Sequence, residues 1–420
     1  MAYESVRGMR DILPEEARHW SLLENQVRAI ARVFNYREIR VPLMEHAELF
    51  SRGIGEATDV VNKEMYTFPD KKGRWLTLRP EATASVVRAY IEHGLYTKAP
   101  FQKVFYIGPM FRYEKPQKGR SRQFHQYGVE AIGALDPALD VEVISVAWSL
   151  MDRLGLERLS LRLNSIGCAA DHERYRQVLR DHFGPHLSKM CSDCRRRYEE
   201  NPLRILDCKK KTCQPFIEGA PGSAEHLCSD CAAHFAAVRR YLDRLGLSYD
   251  IDPRLVRGLD YYTRTVFELV SSDLGAQDAL LGGGRYDDLV EQLGGPSTPA
   301  VGFAGGLDRL VLVLDDLGRF DASEPGIDLF LATLGQDEAL ALELAAGLRA
   351  NGVSVDLDYR ARGLRKQLAE ANRLGARHLL VLGDEEAASG RGRLKQLDTG
   401  VETEVALESS ALLPLLERRG

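Results

Sequence analysis

Lys103–Arg112 (KVFYIGPMFR) and Gln123–Gly133 (QFHQYGVEAIG) are two strand-like runs joined by the polar, basic stretch Tyr113–Arg122 (YEKPQKGRSR). This pattern predicts an antiparallel hairpin. In the second run Gln126, Gly128 and Glu130 lie two apart and so project from one face. A glutamine and a carboxylate then flank a position without a side chain. Either that face is buried, where an unpaired carboxylate is costly and a polar guest above Gly128 would relieve it, or it is an ordinary solvated sheet face. The connection sets Arg112, Lys115, Lys118, Arg120 and Arg122 against the single acid Glu114. It is either a phosphate-holding loop, since the planar arginine fork suits phosphate, or a plain basic surface loop.

Upstream, Pro14-Glu15-Glu16 opens a helix with proline and acids in its first turn, and Leu22, Leu23, Val27, Ile30 and Val33 recur at helical spacing. Leu76–Leu78 reads as a short strand stopped by Pro80, and Glu81–His93 as a second helix. Downstream, strand-like Val266–Val270 and the helix Leu307–Leu317 return to the same style. Strands linked by a hairpin, with helices set apart in sequence, predict an α+β fold on an antiparallel sheet. Between these parts, the stretch 164–248 differs in character and reads as an insertion. It holds all seven cysteines and the triplets Arg195–Arg197 and Lys209–Lys211. Glu324-Pro325-Gly326 reads as a linker. Beyond it, apolar strands at Ile327–Leu331, Val353–Leu357 and His378–Leu382 alternate with helical segments at 336–350 and 361–375, which predicts a small α/β domain with a mainly parallel sheet. The expected divisions are 1–163 and 249–323 for a split core, 164–248 for the insertion and 327–420 for the last domain.

The chain of 420 residues, 28% charged and 44% hydrophobic, has the composition of a globular protein rather than a disordered or collagenous one. No run approaches the length of a membrane span, and Met1–Asp11 lacks the apolar centre of a signal peptide, so the expected location is the cytoplasm. A net charge of −5 argues against indiscriminate polyanion binding and leaves nucleic-acid contact to local basic patches. Cys191, Cys194, Cys208, Cys213, Cys228 and Cys231 cluster in a way that favours a metal over disulfides. Cys191-x2-Cys194 and Cys228-x2-Cys231 have zinc-knuckle spacing and are the expected ligands of one structural Zn2+, the alternative being reduced thiols.

Arg257-Gly258-Leu259-Asp260-Tyr261-Tyr262-Thr263-Arg264-Thr265 combines charges and tyrosines around a glycine, as a site or as a structural turn. Gly282-Gly283-Gly284-Arg285-Tyr286-Asp287 and Gly302-Phe303-Ala304-Gly305-Gly306 read as glycine-rich turns that admit a ligand to the backbone. Neither fits a Rossmann or P-loop fingerprint.

In combination and in order, these segments resemble the bacterial histidyl-tRNA synthetases, class II aminoacyl-tRNA synthetases, over essentially the whole chain. The resemblance rests on Arg7–Asp11 with Leu13-Pro14, on Thr77–Thr83 (TLRPEAT), and on Phe111–Glu130 (FRYEKPQKGRSRQFHQYGVE) as motif 2. Arg257–Thr265 is similar to the family's histidine signature, Gly302–Leu310 (GFAGGLDRL) to motif 3, and Pro42 in Val41-Pro42-Leu43 to the dimer-interface proline of motif 1.

The resemblance implies ATP-dependent ligation of histidine to tRNA(His) through a histidyl-adenylate, on a class II antiparallel core with an inserted domain and a C-terminal anticodon-binding domain. It implies that Glu81, Thr83 and Gln126 hold the α-amino group and that Glu130 with Tyr261 and Tyr262 reads the imidazole. Arg112 and Arg309 would bind ATP, Arg257 would sit between carboxylate and phosphate, and Mg2+ would accompany ATP. Gln117 and its basic neighbours would meet the tRNA acceptor end, and the chain would act as a homodimer. Arg360, Arg362, Arg365, Lys366, Arg373 and Arg377, against only Glu370, fall on an expected helix as either a tRNA-backbone surface or a solvated face. Because every adenylation residue lies outside 164–248, the insertion is expected to serve tRNA and to leave activation alone. The alternative within the same fold is the histidine-sensing regulatory subunit of ATP phosphoribosyltransferase, which lacks the anticodon-binding domain. A zinc-dependent RNA-binding protein without catalysis leaves the three arginines unexplained.

Overall fold

The computed structural model describes residues 3–56, 58–271, 279–320, 326–334 and 338–416. Glu324 and Pro325 of the expected linker lie outside them. The chain forms two compact units, Met1–Arg319 and Phe320–Gly420.

The first unit is built on one sheet. In chain order its strands and those of a small satellite sheet are β1 (Arg37–Glu38), β2 (Met44–His46), β3 (Tyr66–Pro69), β4 (Trp75–Leu78), β5 (Gln102–Phe111), β6 (Gln123–Ile132), β7 (Leu159–Ser165), β8 (Tyr249–Ile251), β9 (Thr263–Ser271), β10 (Ala279–Arg285) and β11 (Ala300–Gly306). The large sheet runs β1-β5-β6-β11-β10-β9-β7-β8, and the small one β2-β4-β3. From β5 to β7 every neighbouring pair is antiparallel, as the hairpin reading required, and only the edge strands β1 and β8 join in parallel. Helix Pro14–Val33 opens with proline and two acids and buries Trp20, Leu23, Val27, Ile30 and Ala31; of the expected stripe Leu23, Val27 and Ile30 are buried, whereas Leu22 and Val33 are exposed.

β7 and β8 are adjacent and parallel, so the chain leaves the sheet after Ser165 and returns beside its point of departure. The intervening segment carries helices Ala169–Phe183, Ser192–Glu200 and Ser229–Leu245 and buries a core of its own around Tyr175, Leu179, Phe183, Met190, Ile205 and Leu206. Buried Asn164 of β7 ties its root, donating 3.0 Å bonds to Ser223 Oγ and to the Leu255 carbonyl.

The second unit holds β12 (Leu329–Thr333), β13 (Val355–Leu357), β14 (His378–Leu382), β15 (Arg391–Gln396) and β16 (Glu402–Ala406) in the order β13-β12-β14-β15-β16. The first three are parallel, as expected from their spacing. The antiparallel hairpin β15–β16 has no clear signal in the sequence. It is an edge element whose composition is mostly polar, with only Gly392, Leu394 and Val405 buried.

Candidate active site

The site lies on the sheet, and its floor is made of glycine. Register sets Glu130 opposite Gly302, Gly128 opposite Ala304, and Gln126 opposite Gly306. Across the next pair Gly302 meets Gly284 and Ala304 meets Gly282, while Gly282 in turn meets Glu268 of β9. Residues paired across strands share a face, so these positions form one continuous surface. The glycine runs Gly282–Gly284 and Gly302–Gly306 therefore lie in β10 and β11 and are not turns. They are glycine because side chains from elsewhere occupy the space above them. A Cβ on Gly282 would run into the Arg257 guanidinium, one on Gly302 into the Glu130 carboxylate, and one on Gly128 into the Tyr106 ring and hydroxyl.

At one end of this floor is a buried acidic pocket. Glu130, 1% exposed, accepts a 2.7 Å hydrogen bond from Thr83 Oγ1 and another from the Tyr286 hydroxyl. Burial pushes its carboxyl up to about 8 against the pull of those two donors. Glu81, 3% exposed, accepts the backbone N–H groups of Thr83 at 2.6 Å and Ala84 at 2.9 Å, the first free donors of helix Thr83–Glu92. Burial raises its pKa as well. Tyr261 and Tyr262 are buried with ring centroids 4.7 Å apart, and Tyr261 packs edge-on against Tyr286. The Oε1 atom of Gln126 is buried with no hydrogen-bond partner among the described residues. The buried-face reading of Gln126, Gly128 and Glu130 is thus the one realised, with one buried polar atom left without a partner among the described residues.

Toward the other end the floor opens into a cleft of about 510 Å³ lined by Arg112, Arg257 and Arg309 together with Glu114, Arg120, Gln126 and Glu268. Arg112 is held by a 2.9 Å bond from Nε to the Pro80 carbonyl and lies over the Phe124 ring. Arg257 pairs with Glu268, and Arg309 bonds the Ala279 carbonyl. The arrangement thus sets a buried cluster of two carboxyl groups beside a cavity lined by five guanidinium groups, those of Arg112, Arg120, Arg204, Arg257 and Arg309, and Gln126, on the same strand face as Glu130, lines that cavity.

The family model for histidyl-tRNA synthetase matches residues 8–310, and that for an anticodon-binding domain matches residues 328–412. The chain belongs to the histidyl-tRNA synthetase family. It is 51% identical to the histidine–tRNA ligase of Moorella thermoacetica over 402 residues, covering 96% of this chain and 95% of that one. To the ligase of Caldanaerobacter subterraneus it is 48% identical over 409 residues, covering 97% and 98%. Among solved structures, apo histidyl-tRNA synthetase of S. aureus is 40% identical with a TM-score of 0.83, covering 99% of this chain and 100% of that one. A Bacillus halodurans chain described as an ATP phosphoribosyltransferase regulatory subunit/histidyl-tRNA synthetase is 23% identical and shares the fold alone. The chain is an enzyme of this family, an ATP-dependent ligase that charges tRNA(His) with histidine.

Several sequence-based expectations need correction. The insertion does not stand apart from the cleft, because Arg204, Asp207 and Lys209 line it, and Arg204 Nη1 donates a 2.8 Å bond to the Arg257 carbonyl. Cys191 and Cys194 do not share a site with Cys228 and Cys231. The sulfurs of Cys191, Cys194, Cys208 and Cys213 gather within 4.8 Å of one another, and Cys228 and Cys231 gather separately with Cys168 and Asp171. Each CxxC begins a different helix, Ser192–Glu200 or Ser229–Leu245, and each helix start packs against its own neighbours. Of the C-terminal cations, only Arg365, Lys366 and Arg373 lie on the helix Leu364–Arg373. Arg360 and Arg373 pair with Glu370, Arg362 with Asp358 and Glu370, and Arg377 with Asp328. Glu370 is therefore not their sole counter-ion. Tyr286 is the pocket residue the sequence reading passed over. It stood in the quoted Gly282–Asp287 run, but only the pairing of β10 with β11 and β11 with β6 reveals that it reaches Glu130.

Proposed function

We propose that the acidic pocket and the cationic cleft are the two halves of a histidine-activation site. Glu81, Thr83 and Gln126 hold the α-ammonium group, and Glu130 with Tyr261 and Tyr262 reads the imidazole, Thr83 and Tyr286 fixing the Glu130 carboxyl. The observation that carries this reading is the unpaired, buried Gln126 Oε1 at the junction of pocket and cleft. A bound amino acid supplies the missing donor there, and a site tuned to an imidazole N–H rejects side chains that would leave Glu130 unpaired.

With histidine so placed, its carboxylate oxygen forms a bond to the α-phosphorus of ATP and the bond to pyrophosphate breaks. Charge builds on the phosphate oxygens, and Arg112 and Arg257 are the cations that meet it, while Arg309 binds the adenine and the outer phosphates. Glu114, a carboxylate on the cleft wall, is an oxygen donor of the kind Mg2+ takes. Bound with ATP, the ion would screen the departing pyrophosphate. The terminal adenosine 3′-hydroxyl of the tRNA then attacks the adenylate carbonyl and AMP leaves. Gln117 and the loop around it meet the acceptor end, and Arg365 and Lys366, without ion pairs among the described residues, contact tRNA phosphates.

The active species in this reading is a cytoplasmic homodimer formed about Pro42. Leu43, Met44, Phe68 and Trp75, all exposed on or beside the small sheet, support it. No described helix is long and apolar enough to cross a membrane. The test of the site is Arg257→Ala, which should slow histidine-dependent ATP–pyrophosphate exchange far more than it weakens histidine binding. An unchanged exchange rate overturns the assignment.

A further inference from the structure

We infer that Cys191, Cys194, Cys208 and Cys213 hold one structural Zn2+, and that this ion fixes the segment of the insertion that forms a wall of the activation cleft. All seven cysteines are free. In the first cluster the Cys191 and Cys208 sulfurs are 3.9 Å apart. Four sulfurs around one zinc, at about 2.3 Å from it, stand roughly 3.8 Å from one another at the corners of a tetrahedron. The spacing also fits, since Cys191-x2-Cys194 and Cys208-x4-Cys213 are both in the range of structural zinc ligands.

The site is closed, as structural zinc sites are. Cys194, Cys208 and Cys213 are buried in the insertion core, and the Cys191 backbone N–H points at Cys213 Sγ at 3.4 Å. Four thiolates leave two negative charges in excess around the ion. From the triplets Arg195–Arg197 and Lys209–Lys211, Arg197 interacts electrostatically with Cys194 and Lys210 with Cys191 and Cys208, each cation also pairing with a carboxylate, Asp59 and Asp193. The second cluster is organised differently. Asp171 accepts the backbone N–H groups of Cys168 at 3.2 Å and Cys228 at 2.9 Å and pairs with Arg174, so this buried carboxylate already joins the two helix starts through hydrogen bonds.

The functional consequence follows from the position of Cys208. Asp207 and Lys209, its chain neighbours, both line the cleft, as does Arg204, which bonds the Arg257 carbonyl. The ligands Cys191 and Cys194 hold the other side of the same structure. Helix Ser192–Glu200 begins there, and its Arg197 pairs with Asp59, another lining residue, and donates to the Arg204 carbonyl. Zinc at this point therefore ties cleft wall to insertion core. The metal site stands on the cysteines alone, whereas its coupling to ATP rests on the cleft assignment proposed above.

The test uses the full-length chain purified without chelator and analysed for metal. Wild type and Cys231→Ser should both retain zinc, and Cys194→Ser should lose about one equivalent. Cobalt(II) added to metal-stripped wild type should give thiolate charge-transfer and tetrahedral d–d bands, a readout that survives even if Cys194→Ser does not fold. Zinc-free wild type without a cobalt–thiolate band, or loss of zinc in Cys231→Ser with retention in Cys194→Ser, overturns the site. Stripping zinc should raise the ATP KM in exchange several-fold and leave histidine affinity within twofold. Full exchange without metal overturns the coupling. Metal content and cobalt bands do not depend on where ATP binds, and Arg257→Ala is compared with wild type with both proteins zinc-loaded, so failure of either reading is seen separately.

Discussion

Replacing Glu130 by glutamine probes the amino-acid pocket most directly, because the two side chains have nearly the same shape and only one titrates. In the empty pocket the carboxyl is pushed up to about 8 by burial. At pH 7 the proton is then held by about ten to one, and freeing the carboxylate costs about 1.4 kcal/mol. A charged acceptor for the imidazole N–H returns about 1.5–3 kcal/mol. The net loss on Glu130→Gln is therefore only about 0–1.6 kcal/mol at pH 7, and it widens to about 1–2.6 kcal/mol at pH 8, where release of the proton costs about 0.4 kcal/mol. Wild-type affinity should rise about fivefold from pH 7 to pH 8 relative to the variant, with roughly one proton released per histidine bound at pH 7. Titration of the ligand's own groups is common to both proteins and cancels in that ratio. Calorimetric titration in buffers of different ionisation enthalpy reads affinity and proton release together. An affinity ratio independent of pH, or proton release unchanged in the variant, refutes the reasoning. Stability provides a second readout. The folded pKa lies above the unfolded one near 4.3, so the protonated carboxyl stabilises the empty fold at low pH and that contribution is lost as pH rises through about 8. The melting temperature of Glu130→Gln should therefore gain on wild type across that window.

Tyr286→Phe removes one of the two donors that hold the Glu130 carboxylate. The carboxyl pKa should move further up, and the rise of histidine affinity should shift to higher pH in the same titration; an unmoved profile means Tyr286 only packs. Gly282→Ala places a methyl group where the Arg257 guanidinium lies. It should reproduce most of the exchange defect of Arg257→Ala while histidine binding stays within twofold, and normal exchange would show that Arg257 acts from another position. Sedimentation should give about twice the chain mass of 47.0 kDa. Charged substitution at Trp75 should shift the protein toward monomer with loss of exchange, and a fully active monomer would uncouple assembly from the site.

Local sequence patterns sufficed for the β5–β6 hairpin, the first helix, the three parallel strands of the second unit and the family. Alternation along Gln123–Ile132 put Gln126, Gly128 and Glu130 on one face, and helical spacing in Pro14–Val33 picked out the buried Leu23, Val27 and Ile30 together with Leu22 and Val33, which are exposed. These are local properties, fixed by the backbone periods of two and 3.6 residues. Tertiary structure decided what depends on contacts between distant segments. The glycines of β10 and β11 read as turns because glycine usually means one, and only the sheet register shows the Arg257 and Glu130 side chains that need their space. Spacing finds cysteine pairs with two residues between them but cannot say which pair meets which, and the path of the insertion joins Cys191 and Cys194 to Cys208 and Cys213. Nor does a domain boundary in sequence bound a site in space. Because β7 and β8 are neighbours, the chain between them stays beside the sheet, and Arg204, Asp207 and Lys209 reach a cleft whose other residues lie far away in the chain.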